Sequence, residues 1–222
     1  MPGRDMQFNT EDGPRQITPR RLIIAGWTGR DTAAVHHHID ELALLGVAPP
    51  TQTPLYYRVS GDLLTQAPKI EVLGQESSGE AEPMLIALDD RHYLGLGSDH
   101  TDRGLEAHSV AASKQACAKP CAADLWELGP LFGHCDAITI RSWIREDGSW
   151  TLYQQGSLAQ ILPLQTLRAE SGLETGDVMF CGTFAALGGV RPAQEFRAEM
   201  HDPVRDRTMS LAYRAAPLPV IS

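Results

Sequence analysis

Two periodicities divide the chain. Between residues 32 and 46 the apolar positions Val35, Ile39, Leu42 and Leu45 recur at intervals of three and four, which places them on one face of an α-helix. Asp31 stands where it can cap that helix, and Gly46 followed by Pro49-Pro50 stops it. Just upstream, Arg21-Leu22-Ile23-Ile24-Ala25-Gly26 reads as a short strand. From Leu55 onward the signal changes to short extended runs separated by Gly, Asp and Ser clusters: 55–59, 70–73, 83–88 and 93–97, with Asp89-Asp90 as a turn. Residues 104–117 are rich in alanine and read as helical. Residues 137–143 and 150–155 form a hairpin around Glu146-Asp147-Gly148-Ser149, and 165–171 is a further helix. An apolar strand over 178–183 runs into a glycine turn, and 195–200 and 208–214 close the chain as strands. Residues 1–20 are polar and hold Gly and Pro, so they are expected to begin as a loose arm. Short strands dominate after Leu55, which predicts an α+β, β-rich fold. The expected division is a strand-helix segment over 1–53 and a main domain over 54–222.

Composition narrows the function classes. At 222 residues the chain can bury one large core without disulfide staples. A net charge of −9 argues against nucleic acid or an anionic membrane as partner, because both require basic surface. No apolar run approaches the length of a membrane span. Residues 1–18 lack the apolar centre of a secretory leader. The four cysteines (Cys117, Cys121, Cys135, Cys181) form no C-x-x-C pair. The expectation is a cytoplasmic protein with reduced thiols. Cys117 and Cys121 stand at helical spacing, but Pro120 between them opposes a continuous helix.

Four stretches carry candidate chemistry. In Ser77-Ser78-Gly79-Glu80-Ala81-Glu82 the two glutamates fall on one face if the segment enters a strand. Paired carboxylates repel unless a cation lies between them, and hard divalent cations prefer such oxygen donors. E-x-E alone is more often a solvated strand face. The second stretch, Ser98-Asp99-His100-Thr101-Asp102-Arg103, follows the glycine-rich run Tyr93-Leu94-Gly95-Leu96-Gly97. Dense polar chemistry at the end of an apolar strand suits a site, although Asp99 or Thr101 would serve equally as a helix cap. The third is Lys114, which matters only if it faces a cleft. The fourth is Gly176-Asp177-Val178-Met179-Phe180-Cys181-Gly182-Thr183, whose final pair can bring backbone N–H groups and a hydroxyl to an anion.

Taken together and in this order, the four stretches resemble the motifs of the fumarylacetoacetate hydrolase superfamily. Glu80 and Glu82 match its E-x-E pair, Asp99 its aspartate segment, Lys114 its lysine, and Gly176 to Thr183 its late G-D-V motif, with Cys181 where threonine is usual. Pro54 to Leu64 resembles the strand that precedes the family's site. The similarity spans roughly Pro54 to Tyr213 by scattered motifs and suggests a divergent branch, akin to a conserved family of unknown function. Two departures stand out: seventeen positions carry the chain from Glu82 to Asp99, a short interval for the family, and Phe184 replaces a proline.

The resemblance implies a rolled mixed β-sheet, a homodimer, and Mg²⁺ or Mn²⁺ (Ca²⁺ in some relatives) held by Glu80, Glu82 and Asp99. It implies a small anionic oxo acid or 1,3-dicarbonyl as substrate, and hydrolysis or cleavage of a C–C bond through an enolate. Lys114 would stabilise that enolate. Gly182, Thr183 and Arg103 would bind the substrate, with a partnership to Asp99 or Glu106 as the alternative for Arg103. For water activation the resemblance points to His38 and Glu41, on the helix where some relatives carry a lid, with His100 as rival. Tautomerisation, decarboxylation and sugar-acid dehydration use the same kind of site. A non-catalytic binding module with a structural metal is the reading from a different class.

Overall fold

The computed structural model describes residues 4–44 and 49–221. In chain order the strands are β1 (Met6–Thr10), β2 (Gly13–Ile17), β3 (Arg21–Gly26), β4 (Leu55–Val59), β5 (Leu64–Thr65), β6 (Lys69–Leu73), β7 (Ser77–Ser78), β8 (Ala81–Leu88), β9 (Arg91–Ser98), β10 (Thr101–Asp102), β11 (Lys119–Pro120), β12 (Trp126–Glu127), β13 (Thr139–Glu146), β14 (Ser149–Ser157), β15 (Asp177–Phe180), β16 (Glu195–Asp202) and β17 (Arg207–Leu218). The α-helices are α1 (Thr32–Leu44), α2 (Arg103–Glu106), α3 (Val110–Ala116) and α4 (Leu164–Ser171).

Two mixed sheets organise these elements. One has six strands in the order β12-β9-β8-β15-β3-β4, and the other five in the order β14-β13-β16-β17-β6. Neighbours are antiparallel except β15 with β3 and β17 with β6, which are parallel. This is the β-rich α+β architecture expected. The main core fills the space between the sheets: Leu85, Leu94, Leu96 and Met179 meet Ile140, Ile144, Phe196, Met200 and Met209. Strands β3, β8 and β15 are apolar almost continuously because the six-stranded sheet is covered on both faces.

The second cover corrects the expectation of a loose N-terminal arm. β1 and β2 form a hairpin whose inward residues Met6, Phe8 and Ile17 pack on Leu22, Ile24, Met84, Ile86 and Phe180. Phe8 is fully buried, and strand alternation along Met6-Gln7-Phe8-Asn9 puts both apolar side chains on one face. Polar composition masked that alternation. β3 lies between β15 and β4, so residues on both sides of position 53 share one sheet. Asp177, fully buried, ties this region together by pairing with Arg20 and Arg21.

Other boundaries follow the sequence closely. Asp31 Oδ1 accepts the Ala34 N–H at 3.1 Å and caps α1. Asp147 and Gly148 both take positive φ (48° and 79°), the turn that joins β13 to β14 with matching twist. The alanine-rich stretch splits into α2 and α3, each capped by its own side chain, Asp102 and Ser109. Among the described residues no helix is long and apolar enough to cross a membrane.

Candidate metal centre

The site is built by one hairpin. Strands β8 and β9 pair with Ala81 opposite Ser98 and Glu82 opposite Gly97, turning at Asp89-Asp90. One further step sets Glu80 opposite Asp99, and the Asp99 N–H donates to the Glu80 carbonyl at 3.0 Å. The same register resumes beyond, where β10 pairs Thr101 with Ser78. The short interval from Glu82 to Asp99 is thus the length a tight hairpin needs. As a result one carboxylate oxygen from each of Glu80, Glu82 and Asp99 lies within 4.8 Å of the others. Three oxygen donors at such spacing, two of them on buried residues, are a donor set that fits a hard divalent cation.

Burial makes the trio electrically demanding, since desolvation penalises every charge. The Glu82 carboxyl is pushed well above the usual range by burial and then by Asp99. Glu80 is raised too, chiefly by burial, with Arg103 and Lys114 opposing. Asp99 goes the other way: burial raises it, but Lys114 and Lys119 outweigh burial and hold it below the ordinary carboxylate value. Lys114 Nζ, on α3, donates to Asp99 Oδ2. Lys119 Nζ lies 2.9 Å from Asp99 Oδ1 and donates to the His100 carbonyl at 2.5 Å. Asp99 Oδ1 is buried and accepts no aligned hydrogen bond. Lys119 escapes a sequence reading because it sits between Ala118 and Pro120 with no motif around it. Only its complete burial marks it.

The glycine turn serves the trio from the neighbouring strand. β15 pairs with β8, and the Gly182 N–H donates to Glu82 Oε2 at 2.8 Å. Gly182 adopts φ +97°, and a Cβ there would fall 1.8 Å from Thr28 Oγ1, so both conformation and space require glycine. Thr183 Oγ1 donates to the Ala81 carbonyl at 2.8 Å and accepts from Gln154 Nε2 at 2.6 Å. Both donors expected to face a substrate anion are therefore engaged within the protein, fixing Glu82 and the start of β8. Gln154, buried on β14, is a second residue that sequence reasoning missed. Its Oε1 accepts from Ala81 N at 2.9 Å and Ser142 Oγ at 2.8 Å, closing the network.

Arg103 is drawn to acids rather than left open. It donates to Glu106 Oε2 and Ser78 Oγ, each at 2.8 Å, and its Nη2, 3.4 Å from Glu80, has no hydrogen-bond partner. His100 is fully buried, sharing hydrogen bonds of 2.9 Å with Tyr213 Oη and 3.0 Å with Ser77 Oγ. Burial, then Lys119 and Arg103, depress it to about 3, so it is neutral at ordinary pH and links Ser77 on β7 to Tyr213 on β17. His38 and Glu41 lie on α1, and their side chains fall outside the described residues.

Solved structures share this architecture. A candidate fumarylpyruvate hydrolase from Burkholderia cenocepacia superposes with a TM-score of 0.65 at 18% identity, covering 96% of this chain and 92% of that one. A fumarylpyruvate hydrolase from Pseudomonas aeruginosa, in complex with Mn²⁺ and pyruvate, gives 0.61 at 14% identity, covering 98% of each chain. A 2-keto-3-deoxy-D-arabinonate dehydratase complexed with magnesium and 2,5-dioxopentanoate gives 0.61 at 11%, covering 94% of this chain and 78% of that one. The fold is that of the fumarylacetoacetate hydrolase superfamily. Residues 25–213 match the family described as "Protein of unknown function (DUF2848)", and the chain belongs to that family. No curated protein sequence matches the chain.

Proposed function

We propose that this protein is a divalent-metal enzyme, with Mg²⁺ or Mn²⁺ on Glu80, Glu82 and Asp99, acting on a small 2-oxo acid or 1,3-dicarbonyl. The observation that carries this reading is the convergence of three carboxylates from a single hairpin, backed by two lysines on the same aspartate. Solved relatives of the same fold bind Mn²⁺ with pyruvate and magnesium with 2,5-dioxopentanoate, which supports an oxo acid as ligand. The bound ion would act as a Lewis acid on substrate oxygens. Lys114 supplies a second positive charge to a developing enolate, and Lys119 keeps Asp99 ionised and fixed. Arg103, whose buried Nη2 lies 3.4 Å from Glu80 but makes no hydrogen bond, would anchor a substrate carboxylate beside Glu80. Gly182 and Thr183 contribute by holding Glu82 and β8 in place.

The leading reaction is hydrolysis or C–C cleavage, in which His38 and Glu41 would activate water. A decarboxylase or tautomerase is the second reading, because it needs no activated water and His100 is locked as a neutral structural imidazole. We take the protein as a cytoplasmic homodimer, consistent with four free cysteines. The test is a panel of acylpyruvates and 2-oxo acids with Mn²⁺, run on wild type and on the double variant His38→Ala, Glu41→Ala. Turnover lost in the double variant supports hydrolysis, and unchanged turnover supports the second reading. No turnover by wild type on any panel member, with Mn²⁺ bound, would leave a binding module.

A further inference from the structure

The trio already has a cation of its own. Lys114 Nζ bonds Asp99 Oδ2, and its charge interacts with Glu80 and Glu82 as well. Counted with Lys119 and Arg103, the three carboxylates face three basic side chains. The two lysines differ in how they are held. Lys119 is completely buried, pinned to both Asp99 and the His100 carbonyl. Lys114 keeps 9% of its side chain exposed, has Asp99 as its one hydrogen-bond partner among the described residues, and lies 5.8 Å from the Tyr57 ring centroid. An aromatic face is a place where a displaced ammonium can rest with little loss.

We propose that Lys114 is a tethered competitor for the metal: its ammonium neutralises the trio in the metal-free protein and must swing out, toward Tyr57, when a divalent cation binds. This rests on the metal-site reading above and adds to it a cost of metal entry built into the chain. A divalent ion on oxygens so close to the ammonium repels it, so both cannot hold the trio at once. Lys119 stays in place and keeps Asp99 oriented in both states. Once moved, Lys114 lies beside the bound ion, where it can meet a substrate oxygen, so metal loading arms the lysine for its proposed catalytic role. The arrangement also explains how a buried trio folds before metal arrives.

Two measurements test the exchange. The first is calorimetric titration of Mn²⁺ into wild type and Lys114→Met, with Glu82→Gln as the control that removes a ligand. Lys114→Met is expected to lower the Mn²⁺ Kd at least tenfold, while Glu82→Gln raises it. The second uses wild type alone: acetylation of lysines by acetic anhydride, read by mass spectrometry with and without saturating Mn²⁺. Lys114 labelling should rise several-fold on loading while Lys119 stays unreactive. Tight Mn²⁺ binding with an unchanged or weaker Kd in Lys114→Met, or with Lys114 labelling that falls, overturns the exchange and leaves the metal site standing. Mn²⁺ that binds neither protein overturns both. Should Lys114→Met fail to fold, the labelling experiment still decides.

Discussion

Replacing two neighbouring carboxylates by their amides should have unequal effects: a large loss of stability at one and none, or a gain, at the other. Asp99→Asn keeps the shape of the side chain but strips the charge that Lys114 and Lys119 share. Lys114 retains Glu80 and Glu82 nearby, whereas Lys119 has no other carboxylate in contact among the described residues. Removing the partner of a buried charge costs about 3–5 kcal/mol. In a chain of this length each kcal/mol shifts Tm by roughly 2–4 °C, so the fall should be on the order of 10 °C. Glu82→Gln removes a charge that burial, Asp99 and Glu80 all disfavour, and the amide oxygen can still accept from Gly182 N–H. That variant should be as stable as wild type or more so. The pH dependence carries the same signs. Asp99 binds its proton more weakly folded than unfolded, so its contribution is present above the ordinary carboxylate value of about 4 and is lost only far into acid. Glu82 binds its proton more tightly folded, so it costs stability as pH rises above about 4. Urea unfolding in EDTA across pH 4–8 reads the two variant stabilities and the Glu82 slope, with the Asp99 contribution constant over that range. Equal losses in the two variants, or a stable Asp99→Asn, would refute the charge pattern drawn here.

Two further outcomes follow from the same geometry. Gly182→Ala should lose several kcal/mol, about 1–3 for the strained positive φ and more for the collision with Thr28, and should accumulate poorly as folded protein on expression. In NMR titration the His100 ring, depressed to about 3, should show no protonation between pH 5 and 8, and an imidazole step near 6.5 would sink its structural role.

The trio was legible because four weak signals, Lys114 and the Gly182-Thr183 turn among them, agree in order and type, although each alone has a bland explanation. What joined them in the sequence was the resemblance to one family's ordered motifs; the structure adds the physical reason, a hairpin turning at Asp89-Asp90 that brings its two open ends together. Glu80 and Asp99 are those ends. The N-terminal hairpin was illegible for the opposite reason. Its apolar positions are only Met6, Phe8 and Ile17, too few for a periodic signal, and they matter because Leu22, Ile24 and Met84 need a cover. Lys119 and Gln154 were illegible too, since a buried polar residue is defined by partners distant in sequence. Lys119 meets Asp99 and His100, and Gln154 meets Ala81, Ser142 and Thr183.

The same contrast bears on what sets the chemistry. The donor atoms come from a local hairpin, so the capacity to hold a cation is written into one stretch of chain. The charge around them comes from elsewhere: Lys114 from α3, Lys119 from β11, and the Gly182 N–H from the end of β15. These groups set the carboxylate states: Lys114 and Lys119 keep Asp99 ionised, while Lys114 and the Gly182 N–H partly offset the burial that raises Glu82. A metal-free trio therefore holds one firmly ionised acid and one that resists ionisation. Loading with a divalent cation must ionise Glu82 and, if Lys114 is the competitor proposed here, move an ammonium as well. Metal uptake should then release protons as pH falls toward the raised value of Glu82. Calorimetric titrations in buffers of differing ionisation enthalpy read that release directly. A proton count of zero at every pH would mean that Glu82 is already ionised in the free protein, which would contradict the desolvation that dominates its surroundings.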